Sequence, residues 1–276
     1  VKARIAVAGG EVRVDLARPV SLALTLDFDG PQPRHFGAPR ATSRPFEAPG
    51  FSGAVASGAS CNCEVITLIP HCQGTHTECA GHLTRGRLDA YRVVPAGLVP
   101  AVLLSVTPVA AAVSGESTVP APSAGDLLIS AAAIEAAWPA GAPFAAKALV
   151  IRTLPNSADK ATRDYTLGSP PYLSRQAAQL LVTRDIQHLV VDVPSLDRAH
   201  DEGRLTAHRI FFGLAPDSAQ LDAAARPHAT ITEFAFIPDG LADGAYLLEL
   251  QVPALAGDAV PSRPLLYSLL TAEHHE

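Results

Sequence analysis

The chain has 276 residues, is 48% hydrophobic and 17% charged, and carries a formal net charge of -6. That length suffices for one substantial core, and with no Gly/Ser-rich or charge-rich linker a single domain over residues 1–276 is expected. The acidic balance, without any Lys/Arg block, excludes a phosphate-binding surface of the kind nucleic-acid binders need.

The first residues, Val-Lys-Ala-Arg, are not followed by an apolar run, so no signal peptide is expected. Val20 to Asp27 (VSLALTLD) alternates and reads as a strand, and Phe28 to Gly53, crowded with Gly and Pro, reads as a long functional loop. Cys63 to Ile69 (CEVITLI) is β-branched and apolar, which predicts a buried strand leading into the histidine segment that follows. All four cysteines lie between Cys61 and Cys79 rather than spread through the chain, so reduced thiols are expected, not a disulfide framework. Their spacing lacks the paired C-x-x-C of structural zinc sites, and nothing marks Cys72 or Cys79 as an activated nucleophile.

The longest uncharged stretch, Val93 to Gly115, is interrupted by Pro95, Pro100 and Pro108, which suits strand ends better than a membrane-spanning helix. A soluble, cytoplasmic protein is expected. Ile129 to Trp138 is Ala-rich and helical in pattern. Ala148 to Thr153 (ALVIRT) and Leu189 to Val193 (LVVDV) read as strands. Between them Ser174 is placed to cap a helix reaching about Arg184, with Ala178, Leu181 and Val182 on one face, so the three make a crossover unit. Ala229 to Phe236 and Tyr246 to Val252 are further strands. The fold class is α/β with a large strand content.

The chemistry concentrates in HCQGTHTECAGH, from His71 to His82, which holds three of the ten histidines, two cysteines and one glutamate. Imidazole, thiolate and carboxylate are the ligands of zinc, manganese and iron. In a strand His76 and Glu78 share a face. Cys72 would share it if the chain stayed regular, whereas a bulge at Gln73 and Gly74 would bring His71 round instead. A polar loop carrying three surface histidines is the plain alternative.

This segment resembles the H-x-G-T-H-x-D-x-P-x-H pattern of the cyclase family, the kynurenine formamidase-like metal-dependent hydrolases. Gly74, Thr75, His76 and His82 match it, Glu78 stands at its Asp, and Ala80 replaces its Pro. GPQPRHFG (Gly30 to Gly37) is similar to a substrate-side loop of one branch. VVDVPSLD (Val190 to Asp197), AHRIFFG (Ala207 to Gly213) and ATITE (Ala229 to Glu233) follow in the family's order.

The resemblance implies a single mixed-sheet domain of the cyclase type, swivelling β/β/α-like. It implies one or two divalent ions, zinc or manganese, held by His76, Glu78, His208 and Glu233, with His82 as general acid/base. Cys72 occupies the aligned position of the first ligand, one residue beyond His71. His71 is preferred, because it keeps an imidazole and Gly74 can absorb the extra residue. Asp192 and Asp197 are expected to support the ligands or serve the structure rather than bind metal, and His200 and His228 to lie on the surface.

The implied reaction is hydrolysis of an amide, formamide or ester bond, arylformamidase-like, with a metal-activated water as nucleophile. A lactone or lactam hydrolase, a dehydratase on the same scaffold, and a non-catalytic metal-binding protein are the competing readings. The expected partners are a small-molecule substrate and further copies of the chain, as a dimer or tetramer, with neither nucleic acid nor membrane.

Overall fold

The computed structural model describes residues 1–270. At its centre lies one nine-stranded mixed sheet. In chain order its strands are β1 (Val20–Ser21), β2 (His76–Cys79), β3 (Val99–Val106), β4 (Ala148–Thr153), β5 (His188–Val191), β6 (Thr230–Glu233), β7 (Gly244–Gln251), β8 (Ala259–Pro261) and β9 (Arg263–Ser268). Across the sheet they run β8-β2-β6-β5-β4-β3-β7-β9-β1. The four central strands, β3 to β6, are parallel neighbours, and every other pairing in the sheet is antiparallel. This is the mixed-sheet α/β class read from the sequence.

The central strands are apolar throughout because both faces are covered. All six residues of β4 are buried. Leu149 and Ile151 join Leu189, Val191 and Ile231 in a cluster with Ile134, Leu181 and Phe211 from the helices, while Ala148 and Val150 pack on the opposite side with Val190, Leu22 and Leu266. The helices are α1 (Ala131–Ala137), α2 (Arg175–Thr183) and α3 (Thr206–Phe212). Ser174 caps α2 as expected, its Oγ accepting from the Ala177 N–H at 2.9 Å. The buried stripe is Ala177, Ala178 and Leu181, and Val182, expected on that face, is only half-buried. Helix α1 begins later than expected because Ile129 ends a short strand and Ser130 is the cap, accepting from Ala133 at 3.1 Å.

Three expectations are corrected. The strand predicted from Val20 to Asp27 forms only over Val20–Ser21, with a single further bridge from Ala23 to Ala235. Beyond it the Leu24 N–H donates to the Thr75 hydroxyl at 2.8 Å, which pulls the chain off the sheet edge and towards the histidine segment. The strand expected from Cys63 to Ile69 forms over Glu64–Thr67, but it is largely exposed. It pairs with Thr42–Pro45 in a two-stranded arm rather than entering the core, so part of the expected loop from Phe28 to Gly53 is strand as well. β-Branched residues suit any strand, and the pattern alone does not say which strands find a second layer. No helix among the described residues is long and apolar enough to cross a membrane.

His188 opens β5 in a buried position, with Nδ1 2.9 Å from the Thr230 hydroxyl. Burial, aided by the positive charge of His228 and Arg226, pushes its pKa down to about 4. A folded value below the unfolded 6.5 means that the unfolded chain binds the extra proton, so this contribution to stability is complete above pH 6.5 and is lost towards pH 4. The loss by pH 4 amounts to about 3 kcal/mol. His188→Gln is expected to flatten the acid limb of stability against pH in denaturant titrations, and an unchanged limb would place the acid sensitivity elsewhere.

Candidate metal centre

The pairing of β2 with β6 builds the site. In the antiparallel register His76 lies opposite Glu233 and Thr77 opposite Thr232. Side chains alternate along a strand, so His76, Glu78 and Glu233 project from one face while Thr77 and Thr232 meet on the other, hydroxyl to hydroxyl at 2.7 Å. Glu233 stands at the carboxyl end of a parallel strand, the usual place for a site in an α/β sheet.

His71 reaches the same point by a route other than the expected β-bulge. Pro70–Cys72 forms a 3-10 turn, Gln73 is extended, and Gly74 adopts φ +66° before β2 begins. A left-handed residue there favours glycine. The turn is tied down by Gln73, whose side-chain oxygen accepts from the Ile69 N–H at 2.7 Å and whose amide nitrogen donates to the Pro39 carbonyl. Thr75 donates to the Phe234 carbonyl at 2.7 Å and so fixes the segment to the end of β6.

From the other side α3 contributes His208. Asp197 holds it, accepting from the Ala207 and His208 backbone N–H groups at 2.8 and 3.1 Å and from His208 Nδ1 at 2.7 Å. This is the supporting role expected of Asp197. Asp192 takes the structural role, paired with the buried Lys160 ammonium at 2.8 Å. His200 and His228 are exposed, as expected.

The five residues proposed from sequence as ligands converge. Glu78 Oε2 lies 2.9 Å from His71 Nδ1 and Glu78 Oε1 lies 3.1 Å from His208 Nε2. Glu233 Oε1 lies 3.3 Å from His208 Nε2, and its Oε2 lies 3.4 Å from His76 Nε2. Ligand-type atoms of His71, His76 and Glu78 form one compact group and those of Glu78, His208 and Glu233 a second, with each group's atoms within 4.8 Å of one another. Glu78 belongs to both, one oxygen turned to each.

Several of these atoms are close without being hydrogen-bonded. His76 Nε2 and both Glu78 oxygens are buried with no hydrogen-bond partner among the described residues. Their contacts have the distance of a hydrogen bond but not its direction, as when lone pairs aim at a common point. Each histidine is anchored through its other nitrogen: His71 Nε2 to Asp258 at 2.7 Å, His208 Nδ1 to Asp197, and His76 Nδ1 to the Gly74 carbonyl at 3.2 Å. Carboxylate or carbonyl support behind an imidazole is how metal-bound histidines are oriented. Two buried carboxylates also match the charge of a dication, which burial would otherwise penalise. The donor set therefore fits a divalent ion.

The same contacts set the electrostatics. Burial alone would raise the Glu78 pKa, but the neighbouring His208 and His82 charges and the close His208 and His71 nitrogens hold it well below the usual carboxylate range. Burial would lower His208, yet Glu78, Asp197 and Glu233 raise it well above the ordinary imidazole value. His71, pressed down by burial, is pushed up to about 10 by Asp258 and Glu78.

His82 lies beside the ligands on the turn Ala80–Leu83, its ring centroid 4.1 Å from that of His71 and 5.9 Å from that of His208. Its Nδ1 is 3.3 Å from Asp258 Oδ2. Asp258 went unrecognised in the sequence. It sits just before β8, whose pairing with β2 brings it to both His71 and His82. The only local signal is an Asp next to a short β-prone run, and no motif singles it out. The cysteines stay outside: all four are free, Cys61 and Cys63 are exposed, and the buried Cys79 thiol donates to the Leu88 carbonyl at 3.3 Å. A surface cavity of about 230 Å³ lined by Arg175, Arg204, Arg209, Ile210 and Leu214 contains none of the converging residues. The chemistry, not the cavity, locates the site.

Comparison with known proteins adds the following. The sequence profile of the putative cyclase family matches residues 14–198, two thirds of the chain. The match includes His71, His76, Glu78 and His82 and ends before His208, Glu233 and Asp258. No curated protein sequence matches the chain. Among solved structures, a predicted metal-dependent hydrolase from Bacillus stearothermophilus is 15% identical, with 91% of this chain and 98% of that chain covered and a TM-score of 0.55. A potential metal-dependent hydrolase with cyclase activity is also 15% identical, with 91% and 97% covered and a TM-score of 0.58. Isatin hydrolase A from Labrenzia aggregata, bound to benzyl benzoate, is 16% identical, with 92% and 94% covered and a TM-score of 0.56. At these identities the likeness is one of fold.

Proposed function

The chain belongs to the putative cyclase family, and on that premise we propose that it is a metal-dependent hydrolase of an amide, formamide or ester bond. The observation that carries the reading is the convergence of half-buried His71 with the buried His76, Glu78, His208 and Glu233, with unpaired lone pairs and with His82 beside them. His71 through Nδ1, His76 and His208 through Nε2, and the two carboxylates would hold the ion. Glu78, shared by both groups, makes room for a pair of ions. A divalent ion bound there supplies Lewis acidity, polarising a carbonyl and making water a better nucleophile at neutral pH.

The remaining steps belong to the chain. Asp258 accepts from His82 Nδ1–H, which leaves the lone pair on Nε2. That nitrogen takes a proton from the attacking water and returns it to the leaving nitrogen or oxygen as the carbonyl–heteroatom bond breaks. The His82 side chain is 27% exposed, so a substrate can reach it from solvent, whereas His76, Glu78, His208 and Glu233 are closed off. A purely structural metal site has no use for such a histidine. The non-catalytic reading is therefore the weaker one.

A cyclic amide or lactone is the second reading, supported by the fold likeness to isatin hydrolase A. Purified protein is expected to carry zinc or manganese. It should open or cleave members of a panel of formanilides, lactams and lactones, lose that activity on chelation and regain it on adding the metal back. Turnover that survives complete metal removal would sink the proposal, and the preferred panel member decides between open-chain and cyclic substrates.

A further inference from the structure

The cavity of about 230 Å³ that contains none of the metal-centre residues gathers Arg175, Arg204 and Arg209 around an apolar lining that includes Ile210 and Leu214. Asp217 is the one carboxylate among the described residues lining it, so three arginines face one aspartate in a chain whose formal net charge is -6. Like charges held together over apolar walls repel one another and focus their field on an anion that enters. Helix α3 supplies Thr206, Arg209 and Ile210 to this cavity, while His208 on the same helix meets Glu78 and Glu233 at the metal centre.

The arginines are set in place without being neutralised. Arg209 is held by uncharged acceptors: its Nε donates to the Arg204 carbonyl at 3.1 Å and its Nη1 to the Ser218 carbonyl at 2.7 Å. Its Nη2 has no hydrogen-bond partner among the described residues. Arg175 opens α2, and its guanidinium forms neither a hydrogen bond nor an ion pair among the described residues. Arg204 alone has a counter-charge, Asp217 at 3.1 Å, and both of these side chains are exposed. The Thr206 hydroxyl donates to the Val119 carbonyl at 2.8 Å and ties two walls of the cavity together. A guanidinium fixed beforehand gives up little freedom when an oxyanion docks on its fork.

We propose that this cavity is a binding site for a small organic oxyanion, a carboxylate or phosphate group carried on a compact apolar body, separate from the metal centre. The arginines receive the charged end, and Ile210 and Leu214 receive the apolar one. The volume lies below the roughly 300–1,000 Å³ of sites for drug-sized ligands, so the ligand is a metabolite of a few carbons. The site does not depend on the hydrolase reading and stands whether or not the metal centre turns over a substrate.

The test titrates pentanoate, butyl phosphate, inorganic phosphate and the neutral pentanamide into the full chain by NMR, in metal-loaded and in chelated protein, because a metal ion could hold an anion of its own. At least one organic anion is expected to bind the wild type in both states, pentanoate more tightly than pentanamide and butyl phosphate more tightly than inorganic phosphate. The stronger of the two organic anions identifies the charged group. Arg175→Gln and Arg204→Gln are each expected to weaken that anion by roughly tenfold, the usual scale for a lost charge-assisted hydrogen bond. Both arginines are exposed, so neither change opens the core. Asp217→Asn is expected to act in the opposite sense and tighten binding, since it removes the carboxylate and frees Arg204. A destabilised fold would not produce that gain. The proposal is overturned if neither organic anion binds the wild type at roughly 10 mM, far weaker than ordinary recognition. It is equally overturned if binding disappears on chelation, if both arginine variants bind as the wild type does, if Asp217→Asn binds more weakly, or if pentanamide matches pentanoate and inorganic phosphate matches butyl phosphate.

Discussion

His82→Ala is expected to lower kcat by roughly 10²- to 10⁴-fold while leaving the bound metal in place, the range for loss of a general acid/base. Its placement separates it from the buried ligands. It lies over His71 with the rings inclined at 30° and is not part of the buried Glu78, His208 and Glu233 group. It is also half-exposed where His76 and His208 are closed off. One competing arrangement exists, since His71, His82 and Asp258 themselves form a compact trio of ligand-type atoms. Metal analysis settles the matter alongside kinetics. A variant that loses metal in proportion to activity makes His82 a ligand, and a fully active variant removes it from the mechanism.

The variant also tests the part of Asp258. One oxygen serves both histidines, at 2.7 Å from His71 and 3.3 Å from His82, so removal of His82 leaves Asp258 free to hold His71 alone. Retained metal in His82→Ala is thus the outcome the hydrogen-bond pattern favours.

Local pattern made part of this molecule legible and long-range pairing hid the rest. The apolar run at Ala148 to Thr153 and the Ser174 cap could be read because each depends on neighbours a few residues away. The shared face of His76 and Glu78 follows from alternation alone. His208 and Glu233 carry no such local mark, and only their order among the family-like segments pointed to them. Asp258 depends on β8 adding to the edge of β2, a partnership between segments about 180 residues apart that no periodicity announces. His35 sits in a loop of Gly, Pro and charged residues that reads as exposed, yet it is sealed by Cys72, Phe36 and Tyr165. The run from Cys63 to Ile69 misled in the opposite sense. Its residues suit a core strand, but its only sheet partner among the described residues is Thr42–Pro45, and Ile66 remains 54% exposed.

The choice between His71 and Cys72 yields the other large effect. His71→Ala is expected to cost more metal affinity than the roughly 10- to 100-fold typical of losing a supporting carboxylate, because it removes a donor outright. It also leaves Glu78 Oε2 and Asp258 facing each other with the intervening imidazole gone. Cys72→Ser is expected to keep metal and most activity. The 3-10 turn at Pro70–Cys72 decides this: it swings the His71 ring onto Glu78, and Cys72 joins none of the ligand-type groups among the described residues. Burial and the charge of Glu233 raise the Cys72 thiol pKa, which disfavours the thiolate a metal would need. Metal content by mass spectrometry and residual turnover of the two variants give the answer together. A Cys72→Ser protein that comes out metal-free would move the first ligand to sulfur, and the left-handed turn at Gly74 would then need another explanation than carrying an imidazole to Glu78.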